Sequence, residues 1–94
     1  MSADSAIAVK TWHVRIDIGE RDGTTHAIAR LETGAGTDLR GVGETRLNPR
    51  DQDVPEIGDE VAAARALAHL AQTLLDVAAA DVAQVLDPQA RTGQ

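Results

Sequence analysis

The sequence predicts an α+β domain: a three-stranded antiparallel sheet followed by a long helix and a short C-terminal helix packed on one face, in the order β-β-β-α-α. Three observations carry this expectation. Apolar and polar residues alternate with a period of two through the first half of the chain. Two turn-forming segments, around Asp22-Gly23 and around Gly34 and Gly36, cut that half into three runs. The second half is rich in Ala and Leu that recur with a helical period.

The organisation expected along the chain is a flexible N-terminus over 1–8, a single domain over 9–88 and a flexible tail over 89–94. The first strand is predicted over Val9–Ile18. Trp12, Val14, Ile16 and Ile18 take one face, and His13, Arg15 and Asp17 the other, the pattern of a half-buried strand. Asp22-Gly23 then carries the signal of a tight hairpin turn. In the second strand Ala27, Ala29 and Leu31 point inward, while His26, Ile28, Arg30 and Glu32 point outward. Thr33 to Asp38 reads as the second turn. The third strand, Leu39–Leu47, sets Leu39, Gly41, Gly43, Thr45 and Leu47 inward, and Arg40, Val42, Glu44 and Arg46 outward. Its two glycines weaken a strand but admit another backbone at close range.

Asn48 to Gly58, with Pro49 and Pro55, reads as a connector, and Asp59 as an N-cap or first-turn acid. The long helix is predicted over Glu60–Ala78. Arg65, His69, Gln72 and Asp76 form its solvent stripe; Ala63, Leu67, Leu70 and Leu74, flanked by Ala64, Ala71 and Ala78, form its apolar face. The short helix is predicted around Asp81–Leu86, ended by Pro88.

Ninety-four residues make one small domain, which buries only about 60–65% of its unfolded surface. Trp12 is the single aromatic residue, so the core must be built from Val, Ile, Leu and Ala. Alanine buries little area per residue, which favours a homodimer. There is no Cys, hence no disulfide and no thiolate metal site. The first ten residues lack the basic and apolar regions of a secretory signal, and no uncharged apolar run of membrane length occurs. These features fit a cytoplasmic protein with no membrane partner. The net charge of −6 is uneven: residues 1–50 carry seven basic and seven acidic side chains, residues 51–94 two and eight. That balance argues against indiscriminate polyanion binding but leaves room for a local basic face.

No catalytic constellation emerges, so an enzyme, a cofactor and a small-molecule substrate are not expected. Pairing the first hairpin around Asp22-Gly23 sets His13 opposite Glu32 and His26 opposite Gly19, about 20 Å apart. Those histidines cannot share a metal, and His69 stands alone on the helix. The acids Asp51, Asp53, Glu56, Asp59 and Glu60 lack the spacing of a calcium loop. Gly41-Val42-Gly43 lies inside a strand, not at the strand-to-helix turn a nucleotide site needs. The same pairing opposes Arg15 and Arg30 on the outer face, with Arg40 and Arg46 on the third strand and Asp17, Glu32 and Glu44 interspersed. This face is either ordinary solvated surface or an anion-binding surface for an RNA backbone or another partner. It has no exposed aromatic residue on which single-stranded bases would stack.

Arg46-Leu47-Asn48-Pro49, Val54-Pro55-Glu56-Ile57-Gly58-Asp59-Glu60 and Ala64-Arg65-Ala66-Leu67, with the stretch Trp12–Leu31, resemble a small actinobacterial family classed as a domain of unknown function. Its members include mycobacterial proteins linked to hypoxia and dormancy. The resemblance implies a double-stranded-RNA-binding-like arrangement, likened to ribosome hibernation promoting factors, and dimers. It supplies no catalytic residues. Glu44 stands where the family usually has an apolar residue, and Ala79 and Ala80 replace polar residues before the last helix.

The resulting expectation is a non-enzymatic stress or dormancy protein that associates with the ribosome or RNA. The alternative is a protein-interaction or structural dimer without a nucleic-acid role.

Overall fold

A computed structural model of the protein describes residues 7–36, 38–46 and 55–86. Three strands, β1 (His13–Arg21), β2 (Thr24–Glu32) and β3 (Leu39–Arg46), form an antiparallel sheet in the order β1-β2-β3. One helix, α1 (Pro55–Leu86), follows and packs on one face.

The first turn is the expected one. Asp22 and Gly23 adopt φ of 54° and 76°, both left-handed, which is the two-residue type I′ turn whose twist matches the flanking strands. It sets the register: Ile18 faces Ala27, Ile16 faces Ala29, Val14 faces Leu31 and Arg15 faces Arg30. Across the other pair Ala27 faces Gly43 and Ala29 faces Gly41. Strand one differs from the expected Val9–Ile18. The ladder runs right up to the turn through Gly19, Glu20 and Arg21, because a two-residue turn requires its flanking residues to pair. Val9 to Trp12 are exposed and outside the sheet. Leu47, at the expected end of strand three, lies outside the described residues, as do most of the connector and the chain ends.

The core explains the strand-three glycines. Any Cβ on Gly41 would collide with the backbone N of Leu70 and the carbonyl O of Ala66. One on Gly43 would collide with the carbonyl O of Ala62 and the backbone N of Ala66. The helix therefore rests directly on the β3 backbone. Its contact line is Gly58, Ala62, Ala66 and Leu70, one residue every four, with partly buried Leu74 next. Side chains grow along that line, so the helix departs from the sheet toward its C-terminal end. From Leu75 to Leu86 every residue is exposed.

Three helix expectations are corrected. The helix begins at Pro55 rather than Glu60: proline suits the first helical position, and Gly58 is not a breaker because it is buried against the sheet. Among the described residues there is no separate short C-terminal helix; Ala79 and Ala80 are strong helix formers and α1 runs unbroken through Asp81–Leu86. The apolar face is rotated from the expected one. Ala62, Ala66 and Leu70 are buried, whereas Leu67 is 41% exposed and Ala64, Ala71 and Ala78 are exposed.

The buried core comprises Ala27, Ala29, Leu31, Ala62, Ala66 and Leu70. Four of these six are alanines, so at about 25 cal/mol per Å² the core contributes modestly to stability. Much apolar surface stays outside it: Val14 is 43% and Ile18 45% exposed on the inner face of β1, beyond the reach of the helix.

Candidate functional site

The outer face of the sheet, opposite the helix, carries the candidate residues. Strand parity sends the odd positions of β1 and the even positions of β2 and β3 to this face. The register then builds a row that crosses the whole sheet: Arg15 faces Arg30, and Arg30 faces Arg40. One arginine from each strand lies abreast, with neighbouring strands about 4.8 Å apart.

Like charges placed directly opposite one another destabilise a sheet. Asp17, one step further along β1 on the same face, offsets part of this. Its Oδ1 accepts from Arg15 Nε at 3.4 Å and its Oδ2 from Arg30 Nη1 at 3.3 Å. All three side chains are substantially exposed, so these pairs contribute little to stability and leave the guanidinium groups open to a second acceptor. Arg40 forms no ion pair among the described residues. The row thus presents three cations, two of them, Arg15 and Arg30, sharing the Asp17 carboxylate.

Arg46 does not join it. It stands six positions along β3 from Arg40, roughly 20 Å away, opposite Thr24. Its neighbour in that row is Arg21, which faces Thr24 from the other side. Arg21 is not among the sequence candidates, because the apolar alternation stops at Ile18; the two-residue turn, which carries the strand on to Arg21, is the signal that finds it. Between the two arginine rows lie Ile28 facing Val42, then His26 beside Glu44, whose Oε2 is 3.3 Å from the imidazole Nδ1. His13, at the opposite end of the face, pairs with Glu32.

His69 and Arg65 are not plain solvent residues, as the sequence suggested. Nδ1 of His69 accepts the backbone N–H of Val42 at 2.9 Å. Nη1 of Arg65 donates to the backbone carbonyl of Glu44 at 2.7 Å, with the Thr45 hydroxyl at 3.5 Å. Both side chains reach from the helix to the outer edge of β3 and satisfy groups that would otherwise stay unpaired. The helix is 32 residues long, enough by length to span a bilayer; the His69 and Arg65 bonds tie its earlier turns to the sheet, and Asp76 and Asp81 lie in its exposed later part.

A shallow groove of about 460 Å³ opens where the helix leaves the sheet. Trp12, Leu31, Leu39, Leu74 and Val77 line it, with Lys10 at the rim. Thr33 and Asp81 also line it, and among the described residues no set of His, Asp and Glu converges on a metal-sized site.

The family model described as Rv2632c-like matches residues 10–91. The chain is 48% identical over 80 residues to "Uncharacterized protein Mb1767" of Mycobacterium bovis, covering 85% of this chain and 84% of that protein. It is 44% identical over 79 residues to "Uncharacterized protein Rv2632c" of Mycobacterium tuberculosis, covering 84% of each. The crystal structure of Rv2632c superimposes with a TM-score of 0.78 at 41% identity, covering 86% of this chain and 95% of that one.

Proposed function

The chain belongs to the Rv2632c-like family, and we propose that it is a non-enzymatic stress or dormancy factor that meets ribosomal RNA through the outer face of its sheet. The single observation that carries this reading is the in-register row Arg15–Arg30–Arg40. Planar guanidinium groups on successive strands match the oxygens of consecutive phosphates, and each can bind one in bidentate fashion. Backbone recognition of this kind reads charge and shape rather than sequence, which suits a factor that docks on folded RNA. A three-stranded sheet with one face under a helix and the other bare supports the likeness to double-stranded-RNA-binding and hibernation-type arrangements, by analogy of form. Such a factor would act in the cytoplasm.

Co-sedimentation with ribosomes at low and at high salt tests the proposal. Association that is strong at low salt and falls steeply as salt rises is the expected result. Failure to associate at low salt refutes it. The second reading, a protein-interaction module without an RNA role, would then stand, and it is favoured by the net charge of −6 and by the exposed apolar residues Leu75, Val82, Val85 and Leu86 on the helix.

A further inference from the structure

The two edges of the sheet are equipped differently. On β3 two of the outward backbone groups are occupied by helix side chains: His69 takes the N–H of Val42, and Arg65 the carbonyl of Glu44. On β1 the outward groups follow from the first turn. Arg21 and Thr24 flank a two-residue type I′ turn, so they exchange both backbone hydrogen bonds. Alternation then turns His13, Arg15, Asp17, Gly19 and Arg21 toward β2, and leaves Val14, Ile16, Ile18 and Glu20 with N–H and C=O directed outward. Carried across β2, the same alternation puts Val42 and Glu44 on the free edge of β3, which is where His69 and Arg65 meet them.

Among the described residues no strand pairs with the outer edge of β1. The strand is nine residues long, pairs one-to-one without a bulge, and contains no proline. Its inner face is apolar and half open: Val14 and Ile18 are 43% and 45% exposed. An unguarded regular edge of this kind is a template for another strand.

We infer that this strand is β1 of a second copy, paired antiparallel about a two-fold axis at Ile16. Charge selects the register. With the axis at Ile16, Arg15 faces Asp17 of the second copy and Asp17 faces its Arg15, in positions without backbone bonds, where side chains come closest. An axis at Asp17 would oppose two aspartates, one at Arg15 two arginines, and one at Ile18 would set Arg15 against Arg21. At Ile16 the outward backbone groups also meet each other: Val14 exchanges bonds with Ile18, and Ile16 with its own counterpart. The result is a continuous six-stranded sheet whose central apolar patch comes from Val14, Ile16 and Ile18 of both copies. Asp17 is thereby given a partner across the axis in addition to Arg30. The backbone bonds of the pairing lie in the plane of the sheet, but its charge register shares Arg15 with the RNA-facing row, so the test reads self-association and not ribosome binding.

The natural sequence has no cysteine, which permits a clean test. Ile16→Cys places two thiols opposite one another at a separation a disulfide can bridge, so mild oxidation should give a linked dimer. Ile18→Cys alone should not, because its counterpart would be four positions, roughly 13 Å, away. Val14→Cys combined with Ile18→Cys should link. In analytical ultracentrifugation the parent should sediment as a dimer, Arg15→Asp as a monomer, and Arg15→Asp with Asp17→Arg as a dimer again. Equal linking at Ile16 and Ile18, or a parent that is monomeric at every concentration, overturns the inference. Should Arg15→Asp fail to fold by circular dichroism, the cysteine series decides alone.

Discussion

Val42 and His69 are joined by a hydrogen bond of 2.9 Å that spans 27 residues of chain, from an edge-strand N–H to the Nδ1 of a helix imidazole. Acceptance at Nδ1 places the ring proton on Nε2. The bond ties the helix laterally to the strand it rests on, while the glycine contacts set its height. His69→Ala should therefore lower stability by about 1 kcal/mol, the usual net contribution of such a bond. A urea melt measures it. An unchanged midpoint would mean that water replaces the imidazole without loss.

The glycines make a sharper prediction. Gly41→Ala and Gly43→Val both drive a side chain into helix backbone, which cannot rotate away. Each should cost about 3 kcal/mol or more, or prevent folding. Gly19→Ala is the control. A Cβ there meets nothing within 4 Å, so stability should change by less than about 0.5 kcal/mol. Denaturant midpoints of the three variants should separate cleanly, and equal midpoints would show that the helix can lift off β3 at little cost.

Asp59 lies inside the helix, in its second turn and exposed, and so does not cap free N–H groups. Asp59→Ala should change stability by no more than about 0.5 kcal/mol. A loss of 1 kcal/mol or more in the same melts would place the true helix start nearer to Asp59.

The arginine row predicts a pattern across two measurements. Replacing Arg15 and Arg30 by Gln should weaken ribosome association and flatten its salt dependence, each lost phosphate contact lowering the slope by about one. Arg40→Gln should add a further decrement of the same size. Thermal stability should stay level or rise slightly in the double variant, because an opposed like-charge pair is removed while only exposed ion pairs are lost. Arg46→Gln should weaken association less than Arg40→Gln, since Arg46 lies outside the row. Unaltered association in the Arg15/Arg30 variant would identify the face as ordinary solvated surface.

The sheet was legible in the sequence because three independent signals agreed there. Alternation fixed which residues face inward, Asp22-Gly23 fixed the turn, and the turn fixed the pairing of Arg15 with Arg30. The arginine row followed once β3 was added in register. The helix was harder to phase. Alanines and leucines occur on most of its sides, so hydrophobicity alone does not identify the face that docks. Backbone approach decides instead: the helix backbone at Ala62, Ala66 and Leu70 rests on Gly41 and Gly43, which buries those three residues and leaves Leu67 and Leu75 outside. Gly41 and Gly43 invite close approach in the sequence, but nothing in the sequence marks Ala62 and Ala66 as the helix residues that meet them. The roles of His69 and Arg65 had no local signal, since they depend on where the helix lies relative to the β3 edge.

Each element packs chiefly against the one before it in the chain: β2 on β1, β3 on β2, and the helix on β3. No strand has to wait for a distant segment to arrive, and no crossover has to close over the sheet. The chain can assemble as it is made, hairpin first, with only short loops to order at each step. Such local wiring should give rapid, single-exponential refolding for a protein of mixed architecture. The exception is the β1 edge: with a second copy as its partner, its pairing would be slower, second-order and set by concentration.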